Sequence, residues 1–330
     1  EYKIIRRNKS EFRNCIMGFY LSFSVVFPLC AYICVGFLAR RLNLLDAATV
    51  AKMNSMVFKL LFPLMMFANM QSAASVIHSE EVSVVWLSVG IALTGFFLLC
   101  MIVPRFIKAP ERRGTFIQGC FRGNGMLFAI PIFSALCGSN NVGIATVCLA
   151  AIVPCYNILS VVILKVSAGK KLGTKALIID ILKNPLIIGT LIGAFVVIFG
   201  IEIPDVMQTP ISTLSSMVSP LALVLLGSGL EFHHLKRDIP HLLAVNFIKL
   251  ILFPFFSTLV TYLIGYRGVP LISVFVFNCV PTAVGSYTMA REMGSDGDFA
   301  GKVVATSTFI SLFTIFFWIW LLSEIGLIPN

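Results

Sequence analysis

A shift of 157 residues places the second half of this chain on its first half. The residues that coincide are mainly prolines and glycines, which shape the backbone, and they hold nearly one offset over most of the chain. The matching segments are Phe27-Pro28-Leu29 with Asn184-Pro185-Leu186, Gly36 with Gly193, Phe62-Pro63-Leu64 with Ser219-Pro220-Leu221 and, one residue closer, Gly138-Ser139-Asn140 with Gly294-Ser295-Asp296. Such a fixed offset is typical of an internal duplication.

Both copies are apolar enough to lie in a membrane. Hydrophobic residues make up 58% of the chain and charged residues 12%, whereas about 25% of a soluble domain is charged. A helix needs about 20 apolar residues to cross a bilayer. Ten runs fit, at about 17–39, 47–70, 82–104, 114–137, 142–166, 183–200, 211–231, 239–264, 271–292 and 300–323. The sequence therefore predicts an all-α polytopic membrane protein, with the lipid bilayer as its surroundings.

Five spans in each copy predict that the second copy is inverted. After five crossings the chain lies on the opposite face of the membrane, so an identical unit starting there has the opposite orientation. We predict a first repeat at 17–166, a cytoplasmic linker at 167–182 and a second, inverted repeat at 183–330. We expect residues 1–16 to be a basic N-terminal extension upstream of a natural start at Met17.

The formal net charge of +10 is an orientation signal rather than a sign of nucleic-acid binding. The basic groups lie after spans 1, 3, 5 and 7, at Arg40-Arg41, Arg105/Lys108/Arg112/Arg113, Lys170-Lys171/Lys175 and Lys236-Arg237. By the positive-inside rule these loops are cytoplasmic. We expect both termini outside and a plasma-membrane location, with Tyr20, Trp86, Trp318 and Trp320 as an aromatic belt at the outer ends of their spans.

The fourth span of each copy is predicted to be interrupted near the middle of the membrane. Gly123-Asn124-Gly125 in span 4 corresponds to Val280-Pro281 in span 9, and Pro131 is a second helix-breaking residue in span 4. Backbone groups released at such breaks cannot face lipid, so they must line a protected cavity. Paired breaks in inverted halves indicate a transporter's binding site.

These same segments resemble the auxin efflux carrier family, which includes plant auxin exporters and bacterial permeases proposed to move malate or malonate. The resemblance lies in Arg122-Gly123-Asn124 followed by Ile130-Pro131, Asn184-Pro185-Leu186, Pro220–Gly227 and Pro281-Thr282-Ala283. It implies two inverted five-helix bundles whose fourth helices cross, with Asn124 and Pro281 at the crossing. Ala129 and Lys59 depart from the family's usual residues.

Three cations lie deep within predicted spans, with no Asp or Glu at comparable depth. They are Lys59, Arg122 and Lys249. An ionisable group at this depth is a candidate functional residue, and this set predicts an anionic substrate. Structural roles stay open, because Lys249 could snorkel and Arg122 or Lys59 could bond carbonyls freed at helix breaks. The remaining candidate substrate-binding residues are Asn124, Gly123, Gly125, Asn278, Pro281, Thr282 and Ser286.

The sequence thus predicts a secondary transporter of small organic anions, with carboxylates as the substrate class, working by alternating access with the substrate site at the crossing of spans 4 and 9. A sodium-coupled symporter of similar fold and a small-molecule-binding membrane sensor are the alternatives. No HExxH, GxSxG or deep carboxylate pair indicates an enzyme, and no Cys/His spacing indicates a metal. No cofactor is predicted. Proton coupling through Lys59 and assembly as a homodimer stay open.

Overall fold

A computed structural model describes residues 2–74, 82–138, 141–168, 174–230 and 235–328. All regular structure within these ranges is helical. The α-helices are α1 (Tyr2–Arg41), α2 (Ala47–Met56), α3 (Phe62–Ala74), α4 (Val82–Ile102), α5 (Pro110–Phe121), α6 (Ile130–Cys137), α7 (Val142–Ser167), α8 (Thr174–Leu182), α9 (Pro185–Ile198), α10 (Asp205–Gly229), α11 (Leu235–Phe247), α12 (Phe253–Ile264), α13 (Val269–Cys279), α14 (Gly285–Glu292) and α15 (Gly297–Glu324). Single π-helical turns at Val57–Leu61, Gly125–Ala129 and Ile248–Leu252 join α2 to α3, lead into α6, and join α11 to α12.

Seven segments within the described ranges are long and apolar enough to cross a membrane. Three shorter apolar helices accompany them, at Gly125–Cys137, Pro185–Ile198 and Val269–Cys279. The shorter helices fall in predicted spans 4, 6 and 9. The prediction of an all-α polytopic membrane protein is confirmed.

Two of the predicted segments, 1–16 and 167–182, can be compared with the observed helix ends. Helix α1 continues from Tyr2 to Arg41, so no helix end marks residue 16. In the linker 167–182, α7 ends at Ser167 and α8 occupies Thr174–Leu182, while Lys170 and Lys171 lie outside the described residues.

Two close helix contacts repeat at the sequence offset. A Cβ on Gly36 of α1 would lie 1.9 Å from the carbonyl oxygen of Val224 in α10. A Cβ on Gly193 of α9 would lie 3.0 Å from the carbonyl oxygen of Phe67 in α3. Both the glycines and their partners differ by 157 in number. Glycine allows each backbone to approach its neighbour this closely.

An ion-pair network joins three helix ends on one face. The Arg112 guanidinium in α5 lies 2.8 Å from Asp238 of α11 and 2.9 Å from Asp296, which caps α15. The Lys302 ammonium lies 2.7 Å from Asp238. The loops after spans 3, 7 and 9 therefore meet at the same end of the molecule, as the charge alternation predicts.

The belt prediction is wrong for Trp318. Its side chain is buried, and its indole N–H donates to the carbonyl oxygen of Leu250 at 2.9 Å. Leu250 belongs to a π-helical turn, where the regular hydrogen-bond ladder is disturbed. A polar partner inside the bundle thus holds this ring, whereas Trp86, Trp320 and Tyr20 are exposed.

Candidate functional site

Span 4 is interrupted directly after α5. Arg122 leaves the helix with an extended backbone (φ −82°, ψ 101°), and Asn124 also has non-helical angles (φ −89°, ψ 60°). The helix resumes as a π-helical turn at Gly125 and continues as α6. Glycines on both sides of Asn124 lower the cost of leaving and re-entering the helix.

Span 9 is interrupted between Cys279 and Gly285, and the two breaks bond to each other. The Asn124 N–H donates to the Pro281 carbonyl oxygen at 2.8 Å, and the Ala283 N–H donates to the Arg122 carbonyl oxygen at 3.0 Å. These bonds form one antiparallel bridge between Gly123 and Thr282. Each break therefore satisfies backbone groups released by the other, which is the requirement inside a bilayer.

Neighbouring atoms leave no room for a side chain at Gly123 in the bridge. A Cβ on Gly123 would lie 2.9 Å from the Val280 side chain and 3.0 Å from the Phe277 carbonyl oxygen. The Thr282 hydroxyl donates to the Gly119 carbonyl oxygen at 2.7 Å, and so satisfies the C-terminal end of α5. The two segments approach closely because Gly123 has no side chain and because the Gly119 carbonyl at the end of α5 has a hydrogen-bond partner.

A cavity of about 60 Å³ lies beside the crossing. The residues lining it come from spans 2, 4, 5, 7 and 9. The polar side chains among them belong to Asn69, Arg122, Asn124, Tyr156, Asn157 and Ser219, and Gly285 also lines the cavity. Among the described residues, none of those lining the cavity is acidic. The cavity at the break in span 4 is therefore lined by polar side chains and by the cationic side chain of Arg122.

Arg122 is held in place from two sides. Its side chain is 5% exposed. One guanidinium nitrogen donates to the side-chain amide oxygen (Oδ1) of Asn157 at 2.7 Å, and another points at the sulfur of Met289. Neutral partners position the guanidinium without cancelling its charge, so the cavity stays positive.

The structure divides the other predicted residues into two groups. Gly123, Gly125 and Asn124 line the cavity with Arg122. Pro281 and Thr282 build the backbone bridge without lining the cavity. Asn278 and Ser286 belong to neither group: the Asn278 amide donates to the Val274 carbonyl oxygen at 2.8 Å, and Ser286 is buried in α14.

The two lysines do not join Arg122 at the cavity. Lys249 is fully buried in the π-helical turn of span 8, and its ammonium lies 5.7 Å from the centre of the Phe253 ring. Its ammonium lies next to Gly123 at the crossing without lining the cavity, since a Cβ on Gly123 would lie 3.0 Å from its Nζ. Lys59 is exposed in the π-helical turn of span 2. Pro131 follows the π-helical turn and begins the regular helix α6 rather than the break itself.

Sequence reasoning did not single out Asn69, Tyr156, Asn157 or Ser219. Asn157 is the one asparagine in helix α7, most of whose residues are apolar. A buried amide in a bilayer span needs a partner, so its position alone was a usable signal. Asn157 accepts the bond from Arg122, but only the packing of α7 against the crossing shows that pairing.

Helices of membrane-spanning length around a buried polar cavity at two broken helices define the class of membrane transport proteins. Residues 21–319 match the family described as membrane transport protein. The chain belongs to this family, and the resemblance to auxin efflux carriers is confirmed. An uncharacterized transporter of Methanothermobacter thermautotrophicus is 20% identical over 304 residues, covering 92% of this chain and 99% of that protein. The protein is a membrane transporter.

Proposed function

We propose that this transporter carries small organic anions, with carboxylates as the substrate class, through the cavity beside the crossing. The observation that carries the proposal is the buried guanidinium of Arg122, which faces a cavity with no acidic residue among its described lining. A buried cation without a counter-charge costs free energy. A bound carboxylate would offset that cost and could accept two parallel hydrogen bonds from the guanidinium fork.

Two helix N-termini add to the attraction. Gly125 begins the segment Gly125–Cys137, Gly285 begins α14, and both glycines line the cavity. The N-terminal end of a helix carries a partial positive charge. Discontinuous membrane helices commonly aim these ends at anionic groups of a substrate. An anion in the cavity would meet two such ends in addition to Arg122.

The size of the cavity supports alternating access. A volume of about 60 Å³ holds a few water molecules or one carboxylate group. A whole organic acid needs more room, so the helices that line the cavity must separate to admit it. The proposed separation lies between α3 and α10 on one side and the crossing on the other, because residues of both sides line the cavity.

We also propose that the ten spans form two inverted repeats of five. Three contacts support this arrangement. The close contact of Gly36 with Val224 recurs as that of Gly193 with Phe67, and the backbone bond from Asn124 to Pro281 joins two positions that differ by 157. A contact between equivalent residues is expected on a pseudo-two-fold axis.

The substrate screen tests the proposal directly. The purified transporter in detergent would be heated with succinate, malate, malonate and indole acids, each beside an uncharged analogue. A ligand that binds the folded state raises the melting temperature by mass action. We expect stabilisation by an acid and not by its uncharged analogue. Stabilisation by the uncharged analogues alone would reject the anion proposal.

Coupling is proposed to be independent of sodium, because no acidic residue is among the described residues that line the cavity. Uptake into vesicles with and without a sodium gradient tests this point. A membrane potential alone should drive the anion. Uptake that requires the sodium gradient would favour the symporter alternative instead.

Replacing Asn124 with Ala is expected to reduce transport while folded protein remains in the membrane. The backbone bond from Asn124 to Pro281 survives this change, and only the amide side chain at the cavity is lost. Loss of one neutral hydrogen bond corresponds to about 0.5–1.5 kcal/mol. Substrate titrations of the parent and the variant would measure it. Unchanged kinetics would assign Asn124 to packing.

Orientation is tested at Lys175, which is exposed in α8. We propose a plasma-membrane location with both termini outside and the linker 167–182 in the cytoplasm. A Cys at position 175 should therefore react with a membrane-impermeant thiol reagent in inside-out vesicles and not in intact cells. Labelling in intact cells would reverse the orientation.

A further inference from the structure

A second cavity, of about 560 Å³, opens at the end of the molecule where α15 begins. Three arginines line it: Arg40 and Arg41 at the end of α1, and Arg291 in α14. Ser228 and Gly229 at the end of α10 form another wall, and Asp298 is the acidic residue among its described lining. We call this cavity the arginine vestibule.

Each of the three guanidinium groups is oriented by a contact that leaves most of its donors available. Arg40 donates to the Leu45 carbonyl oxygen at 3.0 Å, and Arg41 lies 5.2 Å from the centre of the Phe37 ring. Arg291 donates to the Tyr287 hydroxyl at 2.7 Å. A guanidinium group has five N–H donors. The vestibule therefore presents several guanidinium donors and a net positive charge.

The vestibule and the crossing cavity lie along the same two helices. On α10, Ala222 lines the crossing cavity and Ser228 lines the vestibule; on α14, Gly285 and Arg291 do the same. Six residues separate the members of each pair, which corresponds to a rise of about 9 Å along a helix. The two cavities are therefore successive spaces between α10 and α14.

On α14, Tyr287 lies between Gly285, which lines the crossing cavity, and Arg291, which lines the vestibule. It is 1% exposed. A Cβ on Gly229 would lie 2.4 Å from its hydroxyl oxygen, and a Cβ on Gly301 would lie 3.3 Å from its ring. Glycines on α10 and α15 thus form the slot that admits the ring. Arg291 holds the hydroxyl from the vestibule side.

We propose that the arginine vestibule is a second anion-binding site, which holds a carboxylate group before it passes to the crossing cavity, and that Tyr287 closes the passage between them. The nature of the anion rests on the proposed function; the charge and the closure do not. A phosphate group offers the same oxygen acceptors, so a lipid headgroup is the competing occupant. We assign the site to a soluble anion.

The charge of the vestibule can be measured without transport. Ala47 lines it and is exposed. In the Ala47→Cys variant, we would compare the labelling rate of a sulfonate-bearing thiol reagent with that of a trimethylammonium-bearing one. The parent without the added cysteine supplies the background. We expect a preference for the anionic reagent on the order of tenfold over a free thiol in solution, and slower labelling in millimolar succinate.

Two sets of substitutions distinguish binding at this site from a general effect of surface charge. Arg40→Gln, Arg41→Gln and Arg291→Gln together should abolish both the preference and the effect of succinate. Lys108→Gln, Lys175→Gln and Lys183→Gln remove the same charge from exposed positions elsewhere and should leave both intact. Equal loss in the two sets, or no preference in the Ala47→Cys variant that keeps all three arginines, would overturn the proposal whether or not the crossing binds anions.

The competing occupant is tested in lipid nanodiscs. The preference should be the same in discs of phosphatidylcholine and in discs that also contain phosphatidylglycerol. A preference that disappears only with phosphatidylglycerol would show that a lipid headgroup fills the vestibule, which rejects a site for a soluble anion.

Closure by Tyr287 is tested at Ser219, which lines the crossing cavity. A Ser219→Cys variant should react slowly with the anionic reagent, and adding Tyr287→Ala should speed the reaction about tenfold or more. Tyr287→Phe keeps the ring in its slot and should change the rate little. If the Ser219→Cys variant reacted equally fast with and without Tyr287→Ala, the ring would not close the passage.

Discussion

Replacing Arg122 with Gln is expected to weaken binding of a carboxylate substrate by about 1.5–3 kcal/mol, or roughly tenfold to more than a hundredfold in affinity. The variant loses the charge but retains an amide that can still bond Asn157. The guanidinium is buried at the cavity, so solvent does not screen the lost interaction. Binding titrations of an anion and of its uncharged analogue would measure the difference, which should appear only with the anion.

Two variants serve as controls for this result. Lys59→Met removes an exposed cation that does not line the cavity and should leave affinity near that of the parent. Arg122→Lys keeps the charge but loses the planar fork, so it should bind with intermediate affinity. If Arg122→Gln, Lys59→Met and Lys249→Met all bind the anion as tightly as the parent, the deep cations are structural and the anion proposal fails.

Replacing Gly36 with Ala is expected to destabilise the folded transporter by about 1–3 kcal/mol. The new Cβ would lie 1.9 Å from the Val224 carbonyl oxygen, and α1 and α10 must separate to admit it. Gly227 faces α1 in the same contact, since its Cβ would lie 2.0 Å from the Ile33 carbonyl oxygen. Alanine favours a helix by about 1 kcal/mol over glycine, which is too little to offset a backbone collision.

Gly90→Ala is the matched control. Gly90 also lies within a membrane helix, but a Cβ there would meet nothing within 4 Å. The Gly90→Ala variant in detergent should have a melting temperature equal to or above that of the parent. The Gly36→Ala variant should melt at a lower temperature and yield less monodisperse protein. Equal melting of the two variants would mean that α1 and α10 are not held in this close contact.

The spans and the breaks were largely predictable because they follow from local properties of the chain. Apolar length identifies a span, since the bilayer has a set thickness. Pro281 and the glycines around Asn124 predict interruptions, since they weaken the helix wherever they stand. The repeat of 157 residues shows that the break in span 4 corresponds to the break in span 9, and no contact has to be known for this.

The composition of the site was only partly predictable, because it depends on which faces of different helices meet. Lys59 and Arg122 both stand within apolar spans, yet Lys59 is exposed and Arg122 lines the cavity. The predicted break beside Arg122 indicated its region of the protein, but the sequence does not show which way either side chain faces. Trp318 likewise matched a belt position by sequence, whereas the carbonyl of Leu250 on another helix holds it inside the bundle.

The sequence by itself determined that this protein is a helical membrane transporter with paired breaks in its fourth and ninth spans, because hydropathy, proline and glycine act locally. Only the tertiary structure decided that Arg122 bonds Asn157 and that Lys249 lies next to Gly123 at the crossing without lining the cavity. These relations join residues far apart in the chain. Their physical cause is the packing of separate helices, which decides which side chains face one another.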